Sequence, residues 1–171
     1  RVAGAGALPG RVCRRLARPP RRAPAADPAE LLRRAGADYR LPAHEGAHAA
    51  ATDLASCRIA AGGSLYPDHV IFLGAGSAIA RPDGTAADVA ARAAGGPPPA
   101  SILFPGMGVL MRREANARAD ALALCLAHVA ARIDPQARLH YLSAEDADQL
   151  LNWDAEKHRQ DLAPRMDAVP Q

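Results

Sequence analysis

Ser101-Ile102-Leu103-Phe104-Pro105-Gly106-Met107-Gly108-Val109-Leu110-Met111 reads as two short apolar runs joined by a turn. Ser101–Phe104 and Val109–Met111 are continuously apolar rather than alternating, the pattern of strands covered on both faces. Gly106-Met107-Gly108 supplies the tight connection between them. Upstream, His69-Val70-Ile71-Phe72-Leu73 has the same character, bounded by Pro67 and Gly74, and is expected to be the clearest strand of all. Leu139–Leu142 gives a fourth.

The stretches between these runs read as helices and breaks. After a turn at Arg81-Pro82-Asp83-Gly84, a helix is expected from about Ala86 to Ala94, broken by Gly95-Gly96-Pro97-Pro98-Pro99. The longest helix runs from about Ala115 to Ile133. Ala119, Leu122, Leu126, Val129 and Ile133 recur on its apolar stripe with Cys125 and His128 beside it, while Arg118, Asp120 and Arg132 point elsewhere. Asp134-Pro135 ends it. Ser143 caps a further helix with Glu145 and Asp146 in its first turn. That helix carries Leu150 and Leu151 towards Trp153, read as an aromatic anchor, and a charged helix over 154–162 follows.

Towards the N-terminus, Asp27-Pro28 is a cap followed by a proline at the first helical position. Ala29, Leu31, Leu32 and Ala35 form a short stripe that Gly36 stops. Residues 45–61 read as one Ala-rich helix closed by Gly62-Gly63. The order of elements predicts an α/β fold: a small, at least partly parallel sheet flanked by helices. A disordered or linker arm rich in Arg, Pro and Ala is expected over 1–27, the α/β domain over 28–163 and a tail over 164–171.

Charge is distributed unevenly along the 171 residues. Residues 1–40 hold ten arginines and three acids, a balance of +7, within a chain whose net charge is +3. The remaining residues are therefore mildly acidic. The Arg-rich arm lacks interleaved aromatics and lysines, so a solvated arm is favoured over a nucleic-acid grip or a membrane contact. It contains no Ser, unlike a mitochondrial transit peptide. Three cysteines, Cys13, Cys57 and Cys125, are distant from one another and in no C-x-x-C pair, which speaks against a disulfide framework or zinc knuckle and for a reducing, cytoplasmic setting. No apolar run approaches the roughly 20 residues needed to span a bilayer.

Several short motifs carry possible chemistry. Asp68-His69 pairs a carboxylate with an imidazole at the mouth of the expected strand. Such a pair can orient the ring, tune its pKa or form half of a metal site, and these two residues are the catalytic candidates; the plainer reading is a histidine bonded to backbone. His44-Glu45-Gly46-Ala47-His48 matches H-E-x-x-H, in which two histidines one α-helical turn apart bind zinc and the glutamate activates water. Pro42 and Gly46 disturb the helix start and no third ligand follows, so a chance match is the favoured reading and a zinc hydrolase the remote one. Gly74-Ala75-Gly76 resembles the opening of a dinucleotide fingerprint, yet Pro82-Asp83-Gly84 arrives too soon for the helix such a site needs.

Three blocks, Ser64-Leu65-Tyr66-Pro67-Asp68-His69-Val70-Ile71-Phe72-Leu73-Gly74, Phe104-Pro105-Gly106-Met107-Gly108-Val109 and Asn152-Trp153-Asp154-Ala155-Glu156-Lys157-His158-Arg159-Gln160, occur in an order and spacing that resembles class II aldolase/adducin-like proteins. They are similar to the region after the aldolase core, including that of rhamnulose-phosphate aldolase/short-chain dehydrogenase fusions, over about residues 40–163. The resemblance implies a metal-dependent carbon–carbon lyase acting on a small sugar or sugar phosphate, with a divalent metal, usually zinc, stabilising the enediolate, and it admits a homo-oligomer. Family members take their metal ligands from an H-x-H pair and a later His-Gly. This sequence contains neither, so no ligand carries across. The catalytic part is expected ahead of Arg1, leaving this chain incomplete as an enzyme. A non-catalytic, adducin-like interaction module is the competing expectation.

Overall fold

In the computed structural model, residues 18–93 and 96–153 are described. The sheet is built around the hairpin. β3 (Ser101–Phe104) and β4 (Gly108–Arg112) pair antiparallel with Phe104 opposite Gly108 and Ser101 opposite Met111. β1 (Tyr39–Arg40) adds antiparallel to β4, and β2 (Ala78–Ile79) adds parallel to β3, giving the order β1-β4-β3-β2. The parallel pair is joined by a crossover carrying a helix, as parallel strands require. The sheet is thus mixed, and the α/β class holds.

Strands buried on both faces divide their side chains between two cores. Ile102, Phe104 and Leu110 face α1 (Pro28–Ala35) and α5 (Ala86–Ala91), packing with Leu31, Ala35 and Val89. Leu103, Val109 and Met111 face the other way. There they meet Ala50 and Ala51 of α2 (Ala49–Thr52), Cys57 and Ala60 of α3 (Leu54–Ala61), Leu73 of α4 (Pro67–Leu73), and Ala123, Leu126 and Ala127 of α6 (Ala117–Ala130). The second layer is largely alanine, so its helices approach the sheet closely. The last helix, α7 (Ala144–Asn152), starts at Ser143 with a capping box to Asp146, as expected.

Residues 69–73 are helical and not a strand, which corrects the sequence reading. Pro67 occupies the first turn, Asp68 follows it, and Gly74 ends the helix at φ 88°. These are the proline-start and glycine-stop signals of a helix, and a five-residue apolar run cannot by itself tell a buried strand from a buried helix. His69, Val70 and Leu73 take the buried face at helical spacing.

Three other expectations change. Leu139–Leu142 forms no strand: the Leu142 N–H reaches the Ser64 carbonyl at 2.9 Å, while the Tyr141 ring lies over Gly62 and Gly63. A Cβ on Gly63 would come within 2.9 Å of the Tyr141 side chain, so the glycine pair serves this contact as well as ending α3. The single helix over 45–61 is broken into a 3₁₀ turn (Glu45–His48), α2 and α3. Asp53 causes the second break by leaving the helical conformation and capping the Ser56 N–H at 3.0 Å. The helix expected over 154–162 and the arm up to residue 17 lie outside the described residues.

Residues 18–27 are tied to the domain rather than behaving as a linker. The Arg21 N–H donates to the Ala131 carbonyl at 2.8 Å. Its guanidinium donates to Asp53 at 2.9 Å, to Ser56 Oγ at 2.9 Å and to the carbonyls of Ala130 and Ile133. One arginine of the basic arm therefore caps the C-terminal carbonyls of α6, where a cation is favoured. Asp120 does not point away from the core as expected: it is 3% exposed and grips Arg40 at 2.7 and 3.1 Å. His128, expected beside the apolar stripe of the long helix, is exposed.

Candidate functional site

Uncommitted polar chemistry concentrates on one segment. Among the described residues, four buried side-chain polar atoms lack a hydrogen-bond partner: Thr52 Oγ1, Tyr66 Oη, His69 Nε2 and Ser77 Oγ. Three of the four lie between residues 64 and 77. Buried polar groups are ordinarily paired, so this cluster marks α4 and its two flanking loops as the candidate site.

Local sequence explains the placement. Tyr66 is extended and precedes Pro67, which sets the direction of α4. One helical step on, His69 turns fully into the protein. Its Nδ1 accepts the Leu65 N–H at a long 3.4 Å, which leaves the proton on Nε2 with nothing to receive it. Burial pushes the His69 pKa down to about 4. Tyr66 lies beside it, with ring centroids 5.6 Å apart. Burial, and then the neighbouring Cys125 thiol, raise the Tyr66 phenol above its ordinary value.

Asp68 and His69, expected to act together, are separated by the helix. Asp68 is exposed in the first turn while His69 is sealed, and no carboxylate contributes to the His69 shift. The imidazole is held by backbone, the plainer of the two readings. Ser64 performs a related task, accepting the Gly76 N–H at 2.8 Å and donating to the Gly74 carbonyl at 3.2 Å. This closes the glycine loop onto the start of the segment, and the loop leads into β2 with the next helix beginning only at Ala86, too far on to receive a dinucleotide.

The H-E-x-x-H residues are not assembled as a metal pair. His44 is extended, exposed and ahead of the 3₁₀ turn; Glu45 is exposed; His48 is 6% exposed. His48 Nδ1 accepts the Val109 N–H at 3.0 Å, joining the turn to β4. Burial lowers the His48 pKa, partly opposed by Glu45. A zincin site needs both imidazoles on one α-helical face, and a 3₁₀ turn with one ring committed to backbone does not provide it. No three His, Cys, Asp or Glu side chains converge among the described residues. The described residues therefore do not fit the divalent metal that the family resemblance implies.

A cleft of about 540 Å³ opens where the N-terminal end of α4 meets the end of α7. Its apolar wall is Pro67, Leu142, Leu150 and Trp153; Asp146, Gln149 and Asn152 supply polar groups. Trp153 is 61% exposed and is not the anchor that the sequence suggested. The volume lies within the range of small-molecule sites. The sequence did contain the signal: Asp146, Gln149 and Trp153 recur at helical spacing, and the chain ends its last apolar helix on an aromatic. No helix of the described residues is long and apolar enough to cross a membrane, and Cys57 and Cys125 are free thiols. Set against known proteins, the chain matches no family model, no curated protein and no solved structure.

Proposed function

We propose that this chain is the C-terminal α/β portion of a class II aldolase-like protein. It forms one wall of a site for a small sugar or sugar phosphate, in the reducing environment of the cytoplasm. The observation that carries this reading is spatial. Of the three sequence blocks that resemble the family, the first contributes Pro67 and the third Asn152 and Trp153 to a single cleft. The second forms the tight turn of the central hairpin, where Gly108 stands at φ 144°. Blocks distant in sequence and joined at one concavity are what a ligand-binding wall requires.

The chain's own residues bind and position in this reading, and the metal-holding histidines come from elsewhere. The test compares the 171-residue chain with a longer form that carries an H-x-H segment ahead of it, both supplied with zinc and a ketose 1-phosphate. Aldehyde release by the longer form alone is expected. A longer form that retains stoichiometric zinc and releases no aldehyde retires the aldolase reading. Cleavage by the short chain alone refutes the division of labour.

A further inference from the structure

We infer that the Trp153 cleft binds the neutral, unphosphorylated face of a monosaccharide, with the sugar's C–H surface stacked on the indole and its hydroxyls held by Gln149 and Asn152. The inference deepens the proposed sugar-handling role and rests on that role for the choice of sugars over other polyols. The rest is carried by the cleft.

A pyranose has an unusual surface: a patch of C–H groups on one face and a ring of hydroxyls that both donate and accept. A matching site offers an exposed aromatic platform with neutral amides at its rim, because an amide side chain can donate and accept at once. The cleft has those parts. Trp153 is largely exposed yet flanked by Pro67 and Leu150, so its ring is held beside other apolar surface. The Gln149 amide has no protein partner among the described residues. Asn152 donates to the Asp148 carbonyl at 2.9 Å, which fixes the side chain and leaves its oxygen to accept from a hydroxyl.

Charge decides between a free sugar and its phosphate ester. Among the described residues, no lysine or arginine lines the cleft, and the one charged member is the Asp146 carboxylate. That carboxylate is kept ionised: hydrogen bonds from the Ser143 N–H and hydroxyl, at 2.8 and 2.7 Å, hold its pKa below the ordinary value. A phosphate dianion placed here meets a like charge, with no counter-ion among the described lining residues. Any phosphate on the ligand therefore points out of the cleft, towards a part of the site that this wall does not supply.

The chain contains a single tryptophan, so intrinsic indole fluorescence reports on this cleft and nowhere else. The purified chain is titrated with methyl β-D-galactopyranoside and separately with galactose 6-phosphate. A saturable change with a Kd of about 1 mM is expected for the neutral sugar, as suits a ligand of that size, and roughly tenfold weaker binding for the phosphate. The exposed variant Gln149→Leu keeps the fold and weakens the neutral sugar roughly fivefold. The inference is overturned by no saturable change at tenfold higher sugar, by phosphate binding as tight as the neutral sugar, or by an unaltered Gln149→Leu. Sugar binding without aldol cleavage in the longer form sinks the aldolase reading and spares this one; cleavage without any indole response does the reverse.

Discussion

The two buried histidines among the described residues sit in regions built to different ends. His48, under the central hairpin, spends its ring on the fold: Nδ1 takes the Val109 N–H, and Gly108 passes so close that a Cβ there would lie 2.7 Å from that nitrogen. Nearby, Arg40 and Asp120 saturate one another and the Ala43 N–H. Thr52 apart, the polar groups around the hairpin are committed. His69, on α4, is buried just as deeply, yet its Nε2 has no partner. That atom is sealed inside and does not line the cleft against α7, which the same segment enters through Pro67. A fold that commits its polar groups at the centre and leaves one unpaired on the helix that borders the cleft directs attention to that rim.

The largest effect expected lies in the committed region. Arg40→Leu leaves the Asp120 carboxylate buried without its cation. Burial raises the Asp120 pKa and the hydrogen bonds from Arg40 and Ala43 more than offset that, so the group stays ionised in the native protein. A stranded buried carboxylate costs about 3–5 kcal/mol, read as a shift in urea midpoint at neutral pH. A loss below about 1 kcal/mol would mean that this ion pair is no more committed than a surface pair.

Next in size is a pH dependence that belongs to His69. Its folded pKa of about 4 lies below the unfolded value near 6.5. The unfolded chain therefore takes up a proton that the folded chain refuses. Stability from this group is complete above pH 6.5, falls as pH drops towards 4, and levels off below, a total of about 3 kcal/mol. Asp53 and Asp120, both shifted down, contribute only below their ordinary value of 3.8, so the windows do not overlap. Burial also lowers the His48 pKa, so that group adds a slope of the same sign below 6.5. Equilibrium unfolding at several pH values, with His69→Phe as the control that removes the larger part of the slope between 4 and 6.5, checks the assignment. A slope undiminished in His69→Phe shows that another group owns it.

A glycine pair gives a finer contrast. Gly108→Ala meets both a φ of 144° and the His48 ring, which Val109 holds in place, and is expected to cost about 2 kcal/mol. Gly74→Ala meets a φ of 88° with nothing within 4 Å of the new methyl, and is expected to cost about 1 kcal/mol. Equal losses by thermal unfolding would mean that the hairpin is no tighter than the α4 loop.

The centre was legible in the sequence and the rim was not, for physical reasons. Two unbroken apolar runs around Gly106-Met107-Gly108 leave few alternatives to a buried hairpin. Capping at Asp27, Ser143 and the helix over 117–130 follow from short-range rules that the structure obeys. Residues 69–73 were misread because apolar runs of that length look alike as strand or helix. Pro67 and Gly74 held the deciding information. The two-residue strands β1 and β2 carry no periodicity to read at all. As for the site, Asp68-His69 is a pair in sequence, but the helix parts its members, one exposed and one buried, and only packing reveals Trp153 as exposed.

That exposure yields the smallest stability effect and the sharpest form of the contrast. Trp153→Ala removes the largest aromatic side chain in the protein, and in most folds such a change costs several kcal/mol because the ring is core. Here the ring is 61% exposed, and the residue caps α7 through its backbone N–H alone, which alanine keeps, so the expected change in unfolding free energy is within about 0.5 kcal/mol. Circular dichroism during urea unfolding measures it without relying on the lost indole. Saturation-transfer signals from methyl β-D-galactopyranoside, present with the parent chain, are expected to disappear. A tryptophan that costs nothing to remove from the fold, yet whose removal silences the ligand, is a side chain kept for binding. A loss of several kcal/mol would instead return Trp153 to the core and place the rim under the same rule as the centre.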